Sequence, residues 1–306
     1  MSTTIPNGVW PVMLTPFTQD NEVDYKALEQ LVNWYIEKGV HGLFAVCLSS
    51  EMGYLSLEER VQVASFVKEK ADGRVPVVAS GHISDAISQQ IEEIKQIWAT
   101  GIDAFVLVTN RLAAPDEDEA AWKRNAERLL SELPEVTFGL YECPVPYHRL
   151  LSPELLAWCA GTGRFTFMKE CSNNLVQITE KLKAVRGTPL KLFIANNPHV
   201  LETLRLGGNG YSGILANFQP DLYVWLTENW ETDEEKAQVL QDYLGASNLF
   251  EGRHYPTSAK YYLQLEGLEV TLKSRSKQAT DFKVTHHREI EQLRRFNQHM
   301  KQTLLN

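Results

Sequence analysis

The chain has 306 residues, 43% hydrophobic and 23% charged, with 18 glycines and 13 prolines, a balance that supports a large buried core and excludes a disordered chain. Its 30 basic residues are outnumbered by 39 acidic ones, a formal net charge of -9, so no basic surface is expected for nucleic acid or an anionic membrane. The start, Met1 to Gly8, lacks a basic segment followed by an apolar run. No later stretch approaches the roughly 18 uninterrupted apolar residues of a membrane span, and a soluble cytoplasmic protein is expected. Cys47, Cys143, Cys159 and Cys171 show neither CxxC spacing nor the density of a disulfide scaffold, which predicts reduced thiols and no structural zinc.

Taken in order, the chain alternates short apolar runs with longer segments of helical rhythm. Gly8 to Leu14 is the first run, and Asp24 to Lys38 follows as a helix, with Leu28, Leu31, Val32, Tyr35 and Ile36 at intervals of three and four and Gly39 as its stop. The remaining runs are Gly42 to Val46, Pro76 to Ser80, Ala104 to Val108, Thr137 to Glu142, Phe165 to Lys169, Lys191 to Ala195 and Gly210 to Leu215. Between them the spacing predicts helices over Glu58 to Ala71, Ala86 to Ala99, Glu117 to Leu133, Pro153 to Ala160, Leu175 to Val185 and Pro198 to Leu206. From about Pro220 the runs disappear, and helices are predicted over Asp221 to Trp230, Asp233 to Phe250, Thr257 to Glu266 and Thr280 to Leu305. The last of these carries Ile290, Leu293, Phe296 and Met300 on one expected packing face, with His286, His287 and His299 as solvated residues.

Strands read as buried runs alternating with helices fit a closed (β/α)8 barrel or an open doubly wound sheet. The open sheet should carry a nucleotide motif. The only glycine cluster, Gly207-Gly208-Asn209-Gly210, follows a helix and precedes a strand, the reverse of a pyrophosphate-binding turn, and there is no GxxxxGK[ST] sequence. The expectation is therefore a (β/α)8 TIM barrel over residues 1–219 with a C-terminal helical appendix over 220–306.

In such a barrel the chemistry comes from the C-terminal ends of the strands. Those positions here are Cys47-Leu48-Ser49-Ser50-Glu51, Ser80-Gly81-His82, Thr109-Asn110-Arg111, Tyr141-Glu142-Cys143, Lys169-Glu170-Cys171, Asn196-Asn197 and Ser212-Gly213. Lys169 ends a run in which strand parity places it on the face of Phe165 and Phe167. An apolar setting penalises an ammonium and favours the free amine, the form that attacks a ketone to make an imine. The alternative is a lysine whose head reaches solvent or pairs with a carboxylate. Tyr141 shares a face with Thr137 and Gly139, where a phenol either relays protons or fills space with one structural hydrogen bond. Cys47, Cys143 and Cys171 follow separate strands and need not converge, so neither metal nor a thiol nucleophile is expected. His82 with Asp85 reads as a supporting hydrogen-bonded pair.

With these residues placed, the chain resembles the dihydrodipicolinate synthase and N-acetylneuraminate lyase family of Schiff-base-forming (β/α)8 enzymes, over almost its whole length. Gly8 to Phe17 is similar to the family's first strand and its Thr-Pro ending, and Asp24 to Gly39 to its first helix. Leu140-Tyr141-Glu142-Cys143-Pro144 matches the Tyr-Asn-x-Pro segment except at Glu142, Met168 to Ser172 matches the lysine segment, and Leu206 to Gly210 matches the approach to strand eight. The resemblance implies that Lys169 forms an imine with the C2 ketone of a 2-oxo acid and that Tyr141 shuttles protons. It implies no metal or organic cofactor, and a homo-oligomer, commonly a tetramer.

The departures concern substrate. The family's Gly-x-Thr/Ser-Gly-Glu loop reads Cys47-Leu48-Ser49-Ser50-Glu51, so Ser49 and the backbone at Ser49 and Ser50 are the remaining carboxylate binders, with Ser212 as a further strand-end hydroxyl. Thr109-Asn110-Arg111 replaces the synthases' relay tyrosines, and Pro146 stands where they place an arginine for the aldehyde's carboxylate. Arg111 and Arg149 are the candidate replacements, Arg111 either reading the far end of an acidic or sugar-acid substrate or pairing with Glu117, Asp118 or Glu142. The expected function is a lyase or aldolase acting on pyruvate or a sugar-acid-type 2-oxo acid. Dehydration of a deoxy sugar acid, 4-hydroxy-tetrahydrodipicolinate synthase and a catalytically silent acid-binding barrel are the alternatives.

Overall fold

Each apolar run coincides with a strand in the computed structural model, the sixth strand passing its run by one residue; the structure describes residues 5–304, and the leading Met1 to Thr4, and Leu305, the expected end of the last helix, lie outside the described residues with Asn306. The strands are β1 (Gly8–Val9), β2 (Leu43–Ala45), β3 (Val77–Ala79), β4 (Ala104–Val108), β5 (Phe138–Tyr141), β6 (Phe165–Glu170), β7 (Lys191–Ile194) and β8 (Gly210–Tyr211). The helices between and after them are α1 (Tyr25–Glu37), α2 (Leu57–Ala71), α3 (Ile87–Trp98), α4 (Glu119–Glu132), α5 (Pro153–Gly161), α6 (Leu175–Val185), α7 (Val200–Arg205), α8 (Pro220–Asn229), α9 (Glu234–Ser247), α10 (Thr257–Leu265) and α11 (Val284–Leu304). All strand pairs are parallel, in the order β1-β8-β7-β6-β5-β4-β3-β2. A parallel bridge between Val12 and Phe44, with the Phe44 amide donating to the Pro11 carbonyl at 3.0 Å, joins the continuation of β1 to β2 and closes the ring. The fold is a (β/α)8 barrel with a C-terminal helical region.

The first and last strands are shorter than their apolar runs. Pro11 has no amide to continue the β1 ladder. At Gly210, φ is +139° and a side chain would stand 1.9 Å from the Gly8 carbonyl, so β1 and β8 meet backbone to backbone. Beyond Tyr211 the Leu215 amide donates to the Tyr211 hydroxyl at 3.3 Å, and Ile214–Asn217 forms a 3-10 turn instead of extending the strand.

The barrel interior is aromatic. Trp10, Phe44, Phe167 and Phe193 pack together, with ring centroids 5.3 Å apart for Trp10 and Phe167, 5.7 Å for Phe44 and Phe167, and 4.9 Å for the stacked Phe167 and Phe193. These rings form a dry plug beneath the strand ends, and residues one step further up the inward faces stand on it.

The helices after β8 play different parts in the packing. Helix α8 packs against β1 and β8, taking the eighth place in the helical ring, because the apolar face of the closing β1–β8 pair needs a cover. The packing face of α11 differs from the expected one: Ile290, Leu293 and Met300 are buried, but Phe296 is 55% exposed, its ring meeting that of Tyr243 edge-on at 4.8 Å. Asn297 takes its place inside, accepting from the Tyr243 hydroxyl and donating to the Tyr262 hydroxyl at 2.9 Å. A hydropathy stripe passes over such an asparagine because its partners come from other helices. No helix among the described residues is long and apolar enough to cross a membrane.

Candidate active site

Register brings Tyr141 on β5 opposite Lys169 on β6. Both side chains rise from the aromatic plug: the Tyr141 ring packs edge-on against Phe44 at 5.9 Å, and the Lys169 Nζ lies 4.6 Å from the Tyr141 ring centroid. Lys169 is 5% exposed, and no carboxylate among the described residues pairs with it. Burial pushes the Tyr141 phenol well above its ordinary range, helped by the nearby thiols of Cys143, Cys171 and Cys47, so it stands protonated as a donor. The three thiols thus do converge, around Tyr141. Burial raises Cys143 and Cys171, which keeps both neutral and poor nucleophiles. Among the described residues no group of three or more His, Cys, Asp and Glu side chains is arranged to hold a metal ion.

Behind this pair, on the opposite strand faces, lies a buried ionic cluster. Lys181 of α6 donates to Glu142 at 2.6 Å and to Glu170 at 2.9 Å, all three side chains being at most 1% exposed. Glu142 also accepts from the Leu151 amide at 2.8 Å and the Cys171 amide at 3.1 Å, and Glu170 from the Ser172 amide at 3.0 Å. Burial raises the Glu142 carboxyl despite Lys181, because two carboxylates share one ammonium. Burial also pulls Lys181 down, but the two carboxylates outweigh it and raise it. Glu142, the residue that departs from the Tyr-Asn-x-Pro pattern, therefore ties the loops after β5 and β6 to α6.

The pair opens into a cavity of about 590 Å3. Ser49 lines it beside the Tyr255 phenol, which burial holds well above its ordinary range. Ser50 does not line it: its hydroxyl donates to the Met13 carbonyl at 2.7 Å and accepts from the Cys47 amide at 3.0 Å, so it holds the loop together. Ser212 is fully buried just before the cavity-lining Gly213, and its hydroxyl has no hydrogen-bond partner among the described residues.

Arg111 is not brought to Lys169. It donates to Asp85 at 2.6 Å in a separate cleft with Asn110, Pro146 and Tyr147. None of its three expected carboxylate partners is used, because Asp85 enters from the loop after β3. Arg149 is also committed elsewhere, donating to the carbonyls of Ala114 at 2.5 Å and Glu117 at 2.9 Å. His82 consequently lacks the expected Asp85 partner. Its Nδ1 accepts from the Val108 amide at 3.0 Å, which leaves Nε2 to donate to Gln90 at 2.8 Å, and burial lowers the imidazole from 6.5 to about 4.

The roof of the cavity was not legible in the sequence. Glu251, Tyr255, Ser276 and Lys277 all come from the segments flanking α10. Glu51 fastens one of these segments, accepting from Lys260 at 3.2 Å and from the Ser274 hydroxyl and the Arg275 and Ser276 amides at 2.7 Å each. Burial raises the Glu51 carboxyl, but Lys260 and these donors prevail and lower it. Only the break between helical patterns marked these segments as loops; nothing marked where they would land.

Comparison with known proteins supplies the frame for this geometry. The model of the dihydrodipicolinate synthetase family matches residues 5–291. The chain belongs to that family. Among its relatives, the 4-hydroxy-tetrahydrodipicolinate synthase of Shewanella piezotolerans is 28% identical over 217 residues, 71% of this chain and 72% of the relative. The enzyme of the same name from Kosmotoga olearia is 27% identical over 236 residues, 76% and 79% of the two chains. Among solved structures, YagE from E. coli K12, a prophage protein of the dihydrodipicolinic acid synthase family in complex with pyruvate, superposes with a TM-score of 0.86 at 22% identity, covering 95% of this chain and 98% of its own. As a member of the dihydrodipicolinate synthetase family the chain is an enzyme, a lyase of the class I aldolase type.

Proposed function

We propose that this enzyme forms a Schiff base between Lys169 and a 2-oxo acid and makes or breaks the bond between C3 and C4 of that acid. The observation that carries the reading is the in-register Tyr141–Lys169 pair, 4.6 Å from ammonium to ring, at the floor of a cavity above an apolar plug. The Lys169 amine attacks the C2 ketone to give a carbinolamine, and protonation of its hydroxyl by the Tyr141 phenol lets water leave. The protonated imine then draws in the electrons of the C3–C4 bond while the Tyr141 phenolate left by the first step takes the proton of the C4 hydroxyl, leaving an enamine of pyruvate and releasing an aldehyde; condensation runs the same steps backwards. The imine itself is the electron sink, so the proposal needs neither metal nor organic cofactor. Ser49 and the backbone beside it are the proposed carboxylate binders, and a homotetramer is the proposed assembly.

The relatives' names favour a second reading, 4-hydroxy-tetrahydrodipicolinate synthase. Against it stand Pro146 at the place of the synthases' arginine and the commitment of Arg111 and Arg149 to other partners. Incubation with pyruvate and longer 2-oxo acids in the presence of borohydride, followed by intact-mass analysis and peptide mapping, tests the proposal. A reduced adduct on Lys169 is expected, and a folded protein that traps none of these acids overturns it. Turnover of pyruvate with aspartate semialdehyde would favour the synthase.

A further inference from the structure

The cavity holds about 590 Å3, several times what a three-carbon oxo acid fills, so most of its wall faces whatever extends beyond C3. That wall carries two carboxylates, Glu51 and Glu251. Glu51 is consumed by Lys260, Ser274 and two backbone amides. Glu251 is not: among the described residues it receives a single long hydrogen bond, from Asn197 Nδ2 at 3.4 Å.

Glu251 is nevertheless held in place. Asn197, fully buried after β7, donates to Asn248 at 2.8 Å, accepts from the hydroxyls of Tyr211 at 2.5 Å and Tyr223 at 2.6 Å, and takes the Gln241 side chain on its own carbonyl at 2.8 Å. This fixes the Asn248–Phe250 turn, and with it Glu251, against the barrel mouth. Burial raises the Glu251 carboxyl and the Lys169 ammonium opposes that rise, so the two groups share one electrostatic space.

Cations able to receive a second acid are scarce in the same wall. Lys169 is reserved for the imine under the proposed function, Arg111 and Arg149 lie elsewhere, and burial lowers the His148 imidazole and favours its neutral form. Lys277 stands exposed on the rim, where water screens it.

We infer that Glu251 is a specificity-determining residue, which accepts hydrogen bonds from the hydroxyl groups of an uncharged, hydroxylated distal chain and disfavours a distal phosphate or carboxylate. Hydroxyl donors satisfy its open oxygen, whereas an anion brought into a partly desolvated site beside it meets like-charge repulsion. This inference rests on the Schiff-base reading of Lys169.

Two probes of one carbon skeleton test it: condensation of pyruvate with glyceraldehyde and with glyceraldehyde 3-phosphate, compared by kcat/KM in the wild type, Glu251→Gln and Glu251→Asp. The wild type is expected to prefer the neutral aldehyde at least tenfold. Glu251→Gln should shrink that ratio at least fivefold, and Glu251→Asp, which keeps the charge, should largely preserve it, with borohydride still trapping pyruvate on Lys169 in all three. A wild-type preference for the phosphorylated aldehyde, equal use of both, use of neither, or a ratio unmoved in Glu251→Gln overturns the assignment of Glu251. The wild-type ratio alone decides if the glutamine variant fails to fold. Absence of a pyruvate adduct in the wild type instead brings down the Schiff-base reading and this inference with it.

Discussion

The floor and the roof of the cavity are built by different physics. The floor is strand register: Tyr141 and Lys169 are opposed because β5 and β6 pair in parallel, and Glu142, Lys181 and Glu170 lock those strand ends from behind. The roof is a set of loops flanking α10, fastened by a few polar contacts from Glu51 and Asn197. A ladder of backbone hydrogen bonds tolerates little displacement, whereas a loop held by side chains can be re-aimed by changing one residue. On the proposed function, reaction chemistry belongs to the floor and, on the assignment of Glu251, substrate discrimination to the roof.

Substitutions can break or sharpen that contrast. The largest effect is expected from Tyr141→Phe, which removes the proposed proton donor. Turnover should fall by about 10²–10⁴-fold, the range for loss of a general acid, while the protein still melts cooperatively and still gives a trapped adduct on Lys169. A fall of less than threefold in kcat would remove Tyr141 from the chemistry.

Next is Lys181→Met, which leaves Glu142 and Glu170 buried without their cation. A loss of about 3–5 kcal/mol in unfolding free energy is expected, measured by denaturant titration, and Glu142→Gln in the same chain should restore part of it. Additive losses in the double variant would show that the cluster does not act as a unit.

The third concerns His82. Its folded-state imidazole lies near 4 against 6.5, so between those values the unfolded chain binds more protons than the folded one. The stability from the neutral ring is complete above pH 6.5 and is lost as pH falls towards 4, by about 3 kcal/mol. Denaturation curves across that window should be steeper for the wild type than for His82→Asn; parallel curves would show that other groups dominate acid unfolding. The smallest effect is expected from Ser274→Ala in the roof, which deletes the 2.7 Å bond to Glu51. About 1 kcal/mol of stability is expected to go, with KM for the aldehyde raised and kcat unchanged. A matching drop in kcat would deny the separation of roof from floor.

Most of the barrel was legible because parallel strands buried on both faces read as short apolar runs and amphipathic helices as stripes, so seven of the eight strands fall inside their expected segments and β6 passes its own by one residue, Glu170. The same parity placed Lys169 above Phe167 and Tyr141 on the adjacent strand. The pattern misled where a polar side chain found partners in other elements. Asn297 displaced Phe296 from the buried face of α11, Asp85 drew Arg111 into another cleft, and Ser50 turned its hydroxyl to Met13 instead of the cavity.

By itself, the sequence determined the alternation of strands and helices, the inward face of β6 and the pairing of an amine with a phenol at neighbouring strand ends, because these follow from local periodicity and chain direction. Only the tertiary structure decided which helix closes the ring, which guanidiniums and hydroxyls reach the cavity, and that Glu251 and Tyr255 come back over Lys169 from the far end of the chain. Those outcomes depend on contacts between residues far apart in sequence, and the spacing of residues along the chain carries no record of them.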